Sequence, residues 1–322
     1  IRLLRMALQD RKLATKESVL LSVLLLDVYE KISERKPRHD EAWGSHIKGA
    51  LSLVRLRRDQ QQDQPDHLRM LERLSTNILI SCAVSDSAIP NELIASQGIV
   101  TSPLKWRESQ LMIEFAQLKR QAKFHLLSDD EIVRNALNLD TQFLQLYTHI
   151  PSSWQHMRVL VEIKSAHHYE NHHFTYIEDH TGQMWNVLRL TRIMICELII
   201  SHGNSSLTTP GLDLDDPVLG YAINIISQLS RDICATVPQI LTQPTAAENL
   251  LSCYRIIFPL YIAAQSFSAP EAMTQYAIRQ LRFIADEHGI EGALVVAKVL
   301  ESGEKRNPWE VYALLGSYAF VC

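Results

Sequence analysis

Apolar residues recur along this chain every three or four positions, the spacing that lines one face of an α-helix. Over 16–35 the stripe is Val19, Val23, Leu26 and Ile32; over 41–58 it is Trp43, Ile47, Ala50, Leu51 and Val54. Between the two, Arg35-Lys-Pro-Arg-His-Asp40 is polar and broken by proline, with Asp40 placed to cap the second helix. Further helices are predicted over 67–83, 104–125, 129–148, 184–201, 217–235, 246–265, 270–288, 291–301 and 308–320. Start signals include Ser128 before Asp129-Asp130-Glu131, Asp216 before Pro217, and Ala269 before Pro270-Glu271. Pro90, Pro103, Pro151, Pro210, Pro238 and Pro244 fall in the predicted gaps, where a missing N–H costs least. Alternation with period two is scarce, and 174–177 is the best short-strand candidate. The pattern predicts an all-α fold: one large domain spanning 1–322, built of about a dozen packed antiparallel helices. Exposed loops are expected near 59–65, which has no apolar residue, and near 202–216. No repeat of fixed period is present, so a regular solenoid is not expected.

Composition narrows the setting. Of 322 residues, 46% are hydrophobic and 21% charged, with a formal net charge of −4. The slight acidity argues against a wide grip on nucleic acid. No apolar run approaches the roughly 20 residues of a membrane span, so no membrane association is expected. Arg2, Arg5, Asp10, Arg11 and Lys12 interrupt any signal-peptide core. The five cysteines (Cys82, Cys196, Cys234, Cys253, Cys322) are scattered and never form C-x-x-C. That usage fits a reducing interior, cytosol or nucleus, and writes no disulfide framework.

The fingerprints of nucleotide enzymes, serine hydrolases and zincins are absent. One polar cluster stands out: His167-His168-Tyr-Glu170-Asn-His172-His173, followed by Glu178, Asp179 and His180. If helical, His168 and His172 share a face at the i, i+4 spacing that holds a transition metal; otherwise the cluster is a solvated connection. The stretch 185–200 is apolar nearly all round, predicting a central helix with Arg189 and Arg192 partly buried. Buried guanidinium groups need acids, such as Glu30 or Glu162, or an anionic ligand. Lys298 stands among apolar neighbours with Leu294 one turn before it. It either snorkels to the surface or sits at the rim of an apolar cavity, placed for a phosphate or carboxylate. Asp27 and Asp86 are acids in apolar surroundings, of the kind that hold magnesium in an all-helical diphosphate enzyme. The D-D-x-x-D helix of ordinary terpene cyclases is missing, since Asp129-Asp130 and Asp215-Asp216 lack the third acid.

Several segments, in order, resemble the regulatory (middle homology) region of fungal zinc-cluster transcription factors. They are Leu24-Leu-Leu-Asp-Val-Tyr29-Glu30, Trp43-Gly-Ser-His46-Ile-Lys-Gly49-Ala50-Leu-Ser-Leu53, and Asn77-Ile-Leu-Ile-Ser-Cys82 through Ile89-Pro90. Later pieces are Leu139-Asp140 with Pro151 and Trp154, Trp185-Asn186 with Arg189 and Arg192, Ile233-Cys234 with Val237-Pro238, and Phe258-Pro259-Leu260-Tyr261. The resemblance implies an all-helical domain that binds an effector or partner, forms homodimers and resides in the nucleus, often serving secondary-metabolism genes. It implies no catalytic residue, cofactor or metal in this chain. In the family DNA is read by a separate N-terminal cluster of six cysteines and two zinc ions, which this sequence does not contain. The chain is therefore expected to be a fragment, or a relative without the DNA reader.

Two departures, Ser85-Asp86 where the family is basic and Leu294-Val295 where it is polar, suggest an interior pocket. They support an alternative: a magnesium-dependent, humulene-type terpene cyclase, cytoplasmic, acting on farnesyl diphosphate. There Asp27 and Asp86 would hold the metal, Lys298 and Arg189 the isoprenoid diphosphate, and Leu294 would shape the cavity. A second alternative is a dimerisation module without a pocket.

Overall fold

In a computed structural model of the chain, every residue from 181 to 196 is buried, and the long helices before and after that stretch pack against it. The structure describes residues 6, 7, 9–14, 16, 18, 19, 22, 75, 79, 82, 88–96, 103–203, 216–242, 247–267 and 269–315. The helix predicted over 41–58, most of those over 16–35 and 67–83, and the loops at 59–65 and 204–215 lie outside the described residues. So do Asp27, Glu30, Asp86 and 316–322.

Eight helices follow one another between Pro103 and Leu315: α1 (Pro103–Lys123), α2 (Asp129–Thr148), α3 (Asp179–Gly203), α4 (Pro217–Thr242), α5 (Ala247–Gln265), α6 (Glu271–His288), α7 (Glu291–Glu301) and α8 (Pro308–Leu315). Two short helices, Arg11–Ala14 and Asn91–Ser96, precede them. The chain is thus mostly helical, with eight such helices among the described residues where about a dozen are expected. Strands β1 (Met157–Leu160) and β2 (His172–Thr175) pair antiparallel between α2 and α3, with Arg158 opposite Phe174. The hairpin departs from the sequence reading, which has a strand only at 174–177. β1 is exposed throughout, so it carries no alternation to read, whereas β2 buries His172 and Phe174.

Local chemistry sets the helix ends. Ser128 and Glu131 form a reciprocal capping box, in which each side chain accepts from the other's backbone N–H, at 3.4 and 2.9 Å. α1 stops at His125, whose φ of 52° lets the Leu126 N–H reach back to the Gln121 carbonyl at 2.9 Å. Asp216 caps α4 through the Val218 N–H at 2.7 Å. α6 begins one residue later than predicted: Pro270 is its extended N-cap and supplies no side-chain bond. Pro238, expected in a gap, lies inside α4. It cannot donate to the carbonyl of Cys234, four residues back. The phenol of Tyr276 on α6, whose single proton goes mainly to the His167 carbonyl at 2.6 Å, makes a second, longer contact of 3.3 Å with that carbonyl.

α3 packs between α2 and α4; α1 covers α2, and α5 lies against α4, α6 and α7. Their inner faces share one apolar core, running from Leu111 on α1 to Leu315 on α8. Arg282 and Glu301 tie α6 to α7 at the surface with two bonds of 2.7 and 2.9 Å. Among the described residues no helix is long and apolar enough to cross a membrane.

Candidate functional site

Asn186, Arg189 and Arg192 lie three residues apart on α3, so they share a face, and all three are buried. Charge buried without partners is costly, so the two arginines must be answered from neighbouring elements. Arg192 is answered by Asp140 of α2, Nε to Oδ1 at 2.7 Å and Nη2 to Oδ2 at 3.0 Å. Tyr221 of α4 donates a further bond to Asp140 Oδ2 at 2.5 Å. Burial works against the charge on Arg192, and the bonds to Asp140 outweigh it. The partner is therefore Asp140, fully buried, and not Glu162, which is exposed in the hairpin loop.

Arg189 is held differently. Its Nη1 donates to the Tyr176 hydroxyl and to Asn186 Oδ1, both at 3.0 Å. Its guanidinium lies 5.1 Å from the Phe174 ring centroid and 5.4 Å from that of Trp185, a cation–π arrangement. Burial again opposes its charge, and Tyr176 and Asp232 outweigh that penalty. Asn186 continues the chain of bonds to Thr236 on α4 (3.2 Å), and the Trp185 indole donates to the Trp154 carbonyl (2.8 Å). Beside Tyr176, the Gln239 amide pairs with both backbone groups of that tyrosine, at 2.8 and 2.9 Å. A Cβ on Gly182 would come within 3.2 Å of the Tyr176 ring, so glycine lets the first turn of α3 pass. A cavity of about 20 Å³ lies at this end between Tyr176, Gln183, Thr236 and Gln239, room for about one water. This end of α3 is a filled polar core.

The histidine cluster is not helical, so the shared face that a helix would give His168 and His172 does not arise. His168 Nε2 instead meets His173 Nδ1 at 3.1 Å, and Ser165 binds the other nitrogen of His168 at 2.8 Å. His172 faces Arg158 at 3.4 Å and Glu170 at 3.5 Å. His167 pairs with Gln280 of α6 at 2.8 Å, and its carbonyl accepts from Tyr276 at 2.6 Å, so the cluster docks the hairpin onto α6. Burial lowers the pKa of His168, His172 and His173, and takes His156, packed on Trp185 and Phe174 near Arg189, down to about 4. Among the described residues no group of three or more His, Cys, Asp or Glu side chains is placed to hold a metal ion.

Open space lies at the other end of α3. A groove of about 410 Å³, within the range of small-molecule sites, is lined by Glu197, Ile200, Tyr261, Ile262, Phe267 and Lys305. Burial pushes the Glu197 carboxyl up to about 7, against the pull of Lys119, the Phe267 N–H and Lys305. Tyr261 donates to the Arg306 carbonyl at 3.0 Å, fixing the loop between α7 and α8 over α5.

Of the residues proposed from sequence, Lys298 is exposed on α7 and Leu294 half-buried. Neither lines the groove or the small cavity, and Arg189 is engaged by Tyr176 and Asn186. Asp27 and Asp86 lie outside the described residues. Sequence reasoning missed Tyr176 and Glu197. An acid inside Ile-Met-Ile-Cys-Glu-Leu-Ile-Ile is the one signal that marks Glu197. Four thiols, Cys82, Cys196, Cys234 and Cys253, are buried and joined in no disulfide. Burial pushes Cys82 and Cys253 up to about 11, and Cys196 and Cys234 higher still. No family model, curated protein or solved structure matches the chain.

Proposed function

We propose that this chain is the regulatory, effector- or partner-binding region of a fungal zinc-cluster transcription factor of the secondary-metabolism type. One observation carries the reading: residues that make the resemblance, scattered over four segments, are in contact with one another or adjacent to those contacts. Asp140 bonds Arg192, Trp154 accepts from Trp185, and Asn186 reaches Thr236, next to Val237-Pro238. A set of residues held together in this way is what a shared fold selects, because each buried polar group loses its partner if one member changes.

On this reading the helices predicted over 16–35, 41–58 and 67–83 complete a domain of about a dozen. The protein acts in the nucleus as a homodimer, and DNA is contacted by a separate zinc-cluster segment. The chain is tested by fusing it to an unrelated DNA-binding domain in a fungal reporter strain. Reporter output should shift several-fold from that of the DNA-binding domain alone, and an Arg192→Met fusion should lose the shift. A stable fusion that leaves the reporter unchanged overturns the reading. Hydrocarbon formed from farnesyl diphosphate and magnesium by the purified chain would establish the cyclase in its place.

A further inference from the structure

We propose that the groove between α3, α5 and the α7–α8 loop binds small amphipathic anions, an apolar body carrying one carboxylate, sulfonate or phosphate. The inference uses the groove alone and goes beyond the regulatory reading, so either one fails without the other.

Ile200, Ile262 and Phe267 give the groove an apolar wall, and Pro308 extends it toward α8. Such surface rewards a hydrocarbon or aromatic body. The polar groups gather at the loop. Arg306 is occupied by Glu304, at 3.0 and 3.1 Å. Lys305 is exposed and makes no hydrogen bond or ion pair among the described residues, so its ammonium is the cation left for a ligand. The Tyr261 hydroxyl is spent on the Arg306 carbonyl.

Glu197 then decides the sign of the ligand. The groups that face it are Lys119 from α1, the Phe267 N–H, Lys305 from the loop, and Tyr261 from α5. Its carboxyl takes up a proton near pH 7, because burial disfavours the charged form. An anion beside Lys305 favours that protonated form, which removes a repulsion and adds a hydrogen-bond donor. Anion binding is therefore linked to uptake of one proton, and by linkage affinity rises as pH falls.

The probe is 8-anilinonaphthalene-1-sulfonate, titrated by fluorescence onto the folded full chain at pH 6 and pH 8. One saturable site is expected, about 10-fold tighter at pH 6. Glu197→Gln should bind at both pH values with the tight affinity, and Lys305→Ala about 10-fold more weakly at both. Uncharged N-phenyl-1-naphthylamine should bind more weakly and without pH dependence. Circular dichroism checks that both variants keep their helix content. The proposal fails if the sulfonate does not saturate, if Glu197→Gln keeps the pH dependence, if Lys305→Ala binds unchanged, or if the uncharged probe matches the sulfonate.

Discussion

Arg189 and Arg192 stand less than one turn apart on one face of α3, yet they live in two different regions. Toward the hairpin, α3 meets a phenol, an amide and two aromatic rings around Arg189. Toward the helices, it meets the carboxylate of Asp140 with a tyrosine hydroxyl behind it. The first region keeps its positive charge with neutral groups in direct contact and the acid Asp232 beyond hydrogen-bond reach, the second by a direct ion pair. The difference should appear on failure. Removing one member of a buried ion pair strands the opposite charge, whereas removing one from a neutral cage strands dipoles.

Arg192→Met should cost about 3–5 kcal/mol of stability, measured by urea unfolding, because Asp140 is left charged and buried. Adding Asp140→Leu should return part of that loss, since the stranded charge goes with it. Arg189→Met should cost less, about 1–3 kcal/mol; equal losses would mean that Asp232 acts as a full counter-ion and that the two regions do not differ.

The two ends of α3 should also respond to pH with opposite sign. His156 has a folded pKa depressed from 6.5 to about 4, so the folded state binds fewer protons than the unfolded one. Its contribution is complete above pH 6.5 and is lost as pH falls toward 4. His156→Phe should flatten that acid limb by about 1–2 kcal/mol in unfolding curves taken from pH 7 to pH 4. Glu197 has a folded pKa raised from 4.5 to about 7. Its contribution is complete below pH 4.5 and is lost as pH rises through 7, so Glu197→Gln should gain about 1–2 kcal/mol at pH 8 and nothing at pH 4. A single limb, or two limbs of the same sign, would erase the contrast.

Helix ends were legible where the chemistry is local. Ser128 and Glu131 write their own capping box, and the predicted bounds of α2 and α7 match the structure. Pro238 defeated local reading because the polar group that lies against the carbonyl it leaves open in α4, the Tyr276 hydroxyl, is 38 residues downstream. The same limit governed the arginines. Their need for partners follows from an apolar run with two charges, but choosing Asp140 over Glu162 requires knowing how α2 lies against α3. Strand β1 left no trace, since an exposed strand has no buried side to pattern. The groove was the least legible feature, being assembled from three separated segments of which only Glu197 is anomalous in its own neighbourhood.

The buried thiols have a practical consequence. Cys196, Cys234 and Cys253 sit on α3, α4 and α5, and Cys82 beside the short helix Asn91–Ser96 through its bond to the Ala88 carbonyl at 3.8 Å. A thiol that is both covered and reluctant to ionise reacts only during moments when its helix parts from the core. Alkylation at these four positions is therefore a set of clocks, each timing one layer, and the order in which they run out would give the sequence in which the layers let go.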